Sequence, residues 1–472
     1  MNFFQKKWLQ ISIILILGFA TRFLWISHPN NVVWDEQHFC NFTKGYLEGK
    51  YFFDIHPPLG KFFLLAGLKT QGASTEKLDC AIGNEYPKEY PYVASRVPTA
   101  IAGSLLPAVV YLFGNALNLT PATSFFAASF ILLDNAIFAE SRFGLIDIFV
   151  PFFGFLALLC FAHHRKKEPY GKMWWLWLFG SAIAGSLAVA TKWTGGGALL
   201  VIGFIMFTEI AERRLLKLFF IRLLSLCVVT AGVYMAFFAL HFKLLPSSGT
   251  GDAFMSERFR ASLQGTVEEK DGKLLPPSFL QKTLELNKKM FNVNAAQKLT
   301  HQDSSRFYEW PIGRKQIYFW VDKTDNLKRL YLRANPIVWL FGTITMFGSI
   351  LYLIFRRKAL QMLIAKSNEW RARIYSLEFL LLIYFINWLP FAAITRAMFL
   401  YHYFSSLIAS VLIGAFIVFN LVPALEASGE DGEKILDASD GNRYLYWILL
   451  AIAGAAFILF SPLSYGFRPF FS

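Results

Sequence analysis

Two adjacent carboxylates, Asp35 and Glu36, stand in the stretch WDEQHFCNFTKGYLEGKYFFDIHPPLGK, a few residues after the first long apolar run. Trp34 and Phe39 flank them, and His56-Pro57-Pro58 and Lys61 follow. One acidic residue in such a place reads most simply as a solvated loop charge. Here, however, Arg96, Arg142, Lys192 and Arg396 stand at the ends of apolar runs that return to the same side. Ionisable groups gathered at one face of an apolar bundle point to a reaction chamber at the interface. The chemistry such a set supports is transfer of a group from a lipid phosphate. A partly desolvated carboxylate takes the proton of an attacking hydroxyl, while Lys and Arg steady the departing phosphate through fixed charge and fork-like hydrogen bonds. Because phosphate leaves readily as an anion, no second carboxylate acting as general acid is required.

Bilayer-crossing helices must position these residues. The chain has 472 residues, 55% hydrophobic and 17% aromatic with 50 Phe, which is too apolar for a soluble globular protein. Apolar windows of about 20 residues, long enough for roughly 30 Å of hydrocarbon, recur along it, and about eleven can be drawn. They are Trp8–Ile26, Val97–Leu117, Ala122–Ala139, Leu145–Ala162, Trp174–Ala190, Gly195–Ile210, Lys217–Leu240, Pro336–Phe355, Ile374–Ala392, Tyr403–Val422 and Tyr444–Phe460. The first has a basic start but no small-residue cleavage site and runs into Arg22, Phe23 and Trp25, so it reads as a retained anchor. With the N-terminus inside, the short inner segments carry Lys6, Lys7, Arg165, Lys166, Lys167, Arg213, Arg214, Arg356, Arg357 and Lys358 among others, whereas the short opposite loops carry little beyond Arg142, Lys192, Arg396 and Arg468. That asymmetry is the positive-inside pattern. It accounts for the net charge of +14 without a nucleic-acid partner.

This orientation places two long loops, 28–96 and 241–335, outside. The first carries a short apolar piece, Leu59–Leu68, about 15 Å long as a helix and too short to cross. Phe39, Phe42 and Tyr46, at spacings of three and four, give the preceding segment one apolar helical face. Both read as interfacial helices. The second loop mixes charges and aromatics and is too short for a large extra domain. Residues 426–440, EASGEDGEKILDASD, read as a polar, mobile inner segment. Cys40 and Cys80 share the first loop, where an oxidising compartment can join them or leave them free; Cys160 and Cys227 sit in apolar spans as packing residues. No Cys/His cluster indicates zinc, and the GTGD glycines, lacking the GK[ST] of a P-loop, read as turn formers.

Taken in order, WDEQHF with YFFDIHPPLGK, SRVPTAIAGSL, ESRFGLIDIF, TKWTGG, GDAFMSERFRASLQG, SSRFYEWPIGRK and RAMFLYHYF make a sequence that resembles the protein O-mannosyltransferase family of membrane glycosyltransferases. The resemblance covers most of the chain. It implies an all-α integral membrane protein of the GT-C fold, one domain over 1–472, that transfers mannose from a polyprenyl- or dolichyl-phosphate carrier to Ser or Thr of a protein acceptor, with inversion, on the non-cytoplasmic side. Asp35 aligns with the family's essential aspartate, the base, and Glu36 with its acidic neighbour. Arg96 matches a functionally important arginine. Lys61, Arg142, Lys192 and Arg396 are expected at the lipid phosphate, and His56, Asp147 and His402 occupy motif positions counted with the substrate-binding group. No metal or other cofactor is required, although a divalent ion beside Asp35 and Glu36 fits the preference of hard cations for carboxylates. Oligomeric state and association with a translocon are left open. The second loop is too short for the β-trefoil MIR module of eukaryotic members, which favours a bacterial plasma membrane over the endoplasmic reticulum.

Blander readings accompany these. Arg22, Lys192 and Arg396 also fit snorkelling from helix ends, and Asp147 an internal ion pair with Arg142. Pro57-Pro58 shapes the backbone so that His56 and Lys61 fall on opposite sides of a bend. A GT-C transferase acting on a glycolipid is the nearest alternative. A transporter would need charged residues at mid-depth and paired broken helices.

Overall fold

The computed structural model describes residues 6–213, 216–297, 300–427 and 440–470. The acidic stretch 428–439 lies outside them. Apolar length dictates the architecture: eight helices among the described residues are long and apolar enough to cross a membrane. The bundle comprises α1 (Lys7–Phe23), then two loop helices α2 (Glu36–Glu48) and α3 (Leu59–Thr70), then α4 (Tyr92–Ala116), α5 (Pro121–Leu132), the short α6 (Asn135–Glu140), α7 (Phe149–His164), α8 (Lys172–Thr191), α9 (Gly196–Arg213) and α10 (Leu216–Leu244). The second loop holds α11 (Glu257–Arg260), α12 (Val267–Asp271), α13 (Phe279–Ala296), β1 (Ile317–Val321) and β2 (Arg329–Leu332). The chain closes with α14 (Pro336–Phe355), α15 (Arg357–Lys366), α16 (Asn368–Ile386), α17 (Phe404–Phe416), α18 (Val422–Ala427) and α19 (Asp440–Tyr465). The chain is a multi-pass membrane protein.

Several expected spans take another form. The first is a 17-residue helix, the third is α5, which stops after 12 residues, and the fourth is the 16-residue α7. The break after α5 has a local cause. Asp134 caps α6 by accepting from Ile137 N at 2.9 Å, and its other oxygen accepts from Trp339 Nε1 at 2.7 Å and Asn335 N at 3.2 Å. A buried carboxylate so bonded ties α5, α6 and α14 together and ends the helix there.

α4, α7 and α17 form the buried centre, whereas α10 buries few residues and leaves Leu224 and Val228 exposed as lipid-facing surface. Close approach needs small residues: a Cβ on Gly18 of α1 would stand 2.7 Å from Ser104 O of α4, and Ser104 Oγ donates to Gly18 O at 3.1 Å. Both short helices expected in the first loop are present, and α3 packs on the start of α4. A disulfide joins Cys40 and Cys80, bracing the first loop. β1 and β2 pair antiparallel, a small sheet in a chain read as all helical.

The two loops interlock. Tyr51 N donates to Ser247 O at 2.8 Å, Gly251 N donates to Tyr51 O at 3.1 Å, and Phe53 stacks on Phe254 at 4.4 Å. A Cβ on Gly249 or Gly251 would collide with the Tyr51–Phe53 backbone. The GTGD glycines, expected only to form turns, are therefore required by close packing of the second loop on the first.

Candidate active site

The two adjacent carboxylates diverge. Trp34 adopts φ 41°, a left-handed conformation that costs a non-glycine residue about 1–2 kcal/mol. Its ring holds it there, stacked on Phe319 of β1 at 5.7 Å and edge-on to Phe399 at 5.4 Å. From that turn Glu36 points inward. Its carboxylate accepts from Arg96 Nε and Nη2, both at 2.9 Å, from Gly144 N at 2.7 Å, Val33 N at 3.2 Å and Tyr86 OH at 3.3 Å. Arg96 also donates to the carbonyls of Pro29, Asn31 and Ile26. Every donor and acceptor in this buried pair is engaged, so it fastens the first loop to α4 and to the ESRFG turn.

Asp35, at the start of α2, makes no capping hydrogen bond and is only partly buried. Burial pushes its carboxyl up to about 6; Asp147 and Asp54 add to the shift, and His38 and Lys192 oppose it. Lys192, in the turn after α8, donates to Asp147 Oδ1 at 2.7 Å, and its ammonium lies 5.0 Å from the centre of the Tyr401 ring. The expected Asp147–Arg142 pair is thus replaced by Asp147–Lys192. Lys192 is 5% exposed and Arg22 fully buried, so neither snorkels.

Lys192 opens onto a cavity of about 490 Å³, walled also by His56, Trp193, Asn294, Thr395 and Arg396. Burial first, then the positive charges of Lys192, Lys61 and Arg396, hold His56 well below the ordinary imidazole range, so it is neutral. His402 lies in the field of Lys192 and Arg396, with its ring stacked on Tyr401 at 4.8 Å. Beside this chamber an apolar groove of about 430 Å³ runs between α8, α9 and α10, lined by Val189, Leu199, Met206, Leu226 and Cys227, with Trp193 in both walls.

Two expected phosphate contacts, Lys61 and Arg142, are committed elsewhere, as is Arg96. Lys61 pairs with Asp54 and donates to His56 O at 2.9 Å and Pro57 O at 3.0 Å, which holds the His-Pro-Pro bend. Arg142 donates to Leu24 O at 2.6 Å and Trp25 O at 2.7 Å, closing the C-terminal end of α1. Arg96 belongs to the Glu36 clamp. Both Glu36 oxygens are likewise occupied, so a cation shared by Asp35 and Glu36 would have to displace Arg96. Among the described residues no three His, Cys, Asp or Glu side chains converge as a metal site.

Two residues join the site that the sequence had not singled out. Glu140 is 1% exposed, lies in the field of Asp147, Lys192 and Asp35, and leaves Oε2 without a hydrogen-bond partner. Tyr401 faces Asp147, Asp35 and Glu140. The available signal was weak: each sits inside a motif quoted for resemblance, ESRFGLIDIF or RAMFLYHYF, beside a cation that drew the attention.

A family model described as dolichyl-phosphate-mannose-protein mannosyltransferase matches residues 12–246, and one for the C-terminal four-transmembrane region of protein-O-mannosyltransferase matches 279–469. Dolichyl-phosphate-mannose–protein mannosyltransferase 4 of Candida albicans is 32% identical over 268 residues, 54% of this chain and 35% of that one. Its Saccharomyces cerevisiae relative numbered 3 is 31% identical over 266 residues, with the same shares, 54% and 35%. The chain spans about a third of the length of these curated relatives. The solved S. cerevisiae Pmt1–Pmt2 complex bound to the sugar donor superposes with a TM-score of 0.87 at 18% identity, covering 99% of this chain and 91% of that one. ArnT of Cupriavidus metallidurans bound to undecaprenyl phosphate gives 0.53 at 13% identity, covering 97% and 76%. With both halves matched by models of one family and the fold shared throughout, the chain belongs to the protein O-mannosyltransferase family of GT-C membrane glycosyltransferases.

Proposed function

We propose that this protein transfers one mannose from a polyprenyl- or dolichyl-phosphate carrier to a Ser or Thr hydroxyl of a protein. The observation that carries the reading is Asp35, free of hydrogen-bonded caps and shifted to about 6, set beside a cation-lined chamber that adjoins a lipid-facing apolar groove. The hydroxyl oxygen bonds to the anomeric carbon as the carbon–oxygen bond to phosphate breaks. Its proton passes to Asp35, and the carrier phosphate departs with both electrons of the broken bond toward Lys192 and Arg396. Attack opposite the leaving phosphate inverts the anomeric centre. The positive charge of Lys192 and Arg396 serves the departing anion, so the reading invokes no metal; transfer that survives EDTA undiminished is the expected result.

The relatives named above carry dolichyl-phosphate-mannose in their names, which supports mannose and a lipid-phosphate donor. Basic inner segments support a cytoplasmic N-terminus and a chamber on the non-cytoplasmic side. A bacterial plasma membrane remains the preferred setting. The test is a transfer assay in vesicles with lipid-phosphate-linked labelled mannose and a Ser/Thr peptide, read by mass spectrometry. A peptide gaining one hexose on a hydroxyl is expected. An unmodified peptide alongside a mannosylated glycolipid would overturn the protein acceptor.

A further inference from the structure

Groove and chamber share Trp193. Its indole Nε1–H donates to Tyr234 OH at 3.0 Å, and that hydroxyl donates to Asn287 Oδ1 at 2.6 Å. Three elements are tied by these two bonds: the turn after α8, the lipid-facing α10 and the loop helix α13. The last of these runs back along the final turns of α10. Phe279 at its start meets Phe242 at 6.2 Å, Lys282 lies 4.7 Å over the same ring, and Asn287 reaches Tyr234 farther from the end of α10. Beyond the trio, Asn294 Nδ2 donates to Ile55 O at 3.0 Å, and Phe291 and Asn294 wall the chamber. Meanwhile Leu280 and Leu284 of α13 are apolar and exposed. Thr283, Leu286 and Met290 bury the inner face of α13, Asn287 and Asn294 stand at the edge of that face, and the helix walls the chamber close to Trp193.

We infer that Trp193, Tyr234 and Asn287 form a latch that holds α13 across the passage from groove to chamber, and that its release admits a long isoprenoid phosphate. The inference rests on the lipid-phosphate donor proposed above. Tyr234 and Asn287 act through Trp193 and α13, as positioning residues that govern which carriers are used. A closed latch keeps the entry-competent form to a fraction of the population, and the apparent affinity for a long carrier falls by that fraction. A short carrier that does not fill the groove escapes this penalty.

Purified full-length protein in detergent is assayed with undecaprenyl-phosphate mannose and with citronellyl-phosphate mannose. Tyr234→Phe removes both bonds and keeps the ring. It is expected to lower KM for the long donor about fivefold, the worth of the one net hydrogen bond that reaches α13, with kcat unchanged and the short-donor KM unmoved. Asn287→Leu shifts KM in the same direction and provides the measurement should the first variant fail to fold. A rise in long-donor KM, or an equal change for both donors, overturns the latch. Cys227, an exposed thiol in the groove wall, is a second reporter. The long donor should slow its modification by N-ethylmaleimide and the short donor should not; equal rates with both remove the groove's occupant and the latch with it. Wild-type protein that transfers from neither donor sinks the proposed function instead.

Discussion

Asp35 and Glu36 are chain neighbours and opposites in every physical respect. Glu36 is surrounded by five donors, among them a bidentate arginine, while Asp35 stands in an uncompensated patch beside other carboxylates and one lysine. A fully satisfied buried ion pair holds geometry and has no free lone pair with which to take a proton. An undersatisfied carboxylate is poised to take one. The clamp region and the chamber region are therefore complementary: the first fixes the turn through which the second presents the proposed base.

The sharpest break in this contrast is Asp35→Asn, expected to lower kcat about 10²- to 10⁴-fold, the span of general-base catalysis, with the unfolding temperature unchanged. Activity within tenfold of wild type would assign the base elsewhere. Glu36→Gln should do the reverse. Breaking one partner of a buried pair costs about 3–5 kcal/mol, so the variant is expected to unfold earlier in a thermal scan in detergent, while the protein that stays folded keeps an unaltered pH profile. Next in size is Lys192→Met, which removes a charge-assisted contact and should cut kcat/KM for the donor about 10- to 100-fold. Lys61→Met should lower thermal stability without changing how kcat/KM depends on carrier length. The smallest effect is pH. Because the Asp35 carboxyl is raised to about 6, its basic form is present above that value and is lost as pH falls through it. Activity should drop about tenfold per unit on the acid side, and the break should vanish in Asp35→Asn.

Much of this contrast was hidden in the linear chain. That Asp35 and Glu36 belong to one turn was plain, but which of them faces Arg96 depends on the left-handed backbone at Trp34 and on a stacking partner, Phe319, from a distant hairpin. Cations were legible as a class and not as individuals. Lys61, Arg96, Arg142 and Lys192 all stood among the outer-side cations, yet of these four only Lys192, paired with Asp147, opens onto the cavity, while the other three are committed to loop carbonyls or carboxylates. Asp147 was expected as an ion-pair partner and is one, for Lys192 rather than Arg142. The loop helices α2 and α3 followed from spacing and length alone, whereas the loop helix α13, which walls the chamber, lay in a stretch whose mixed composition masked its amphipathic face.

Composition and apolar length by themselves determined that the chain crosses a membrane many times. The order of its motifs determined the family it resembles. Those properties are sums over windows of sequence, so no contact need be known to read them. The division of labour among the charged residues was decided only by tertiary structure. A buried polar group goes to whichever partner lies within about 3 Å of it, and that proximity is created largely between segments far apart in the chain, as between Glu36 and Gly144.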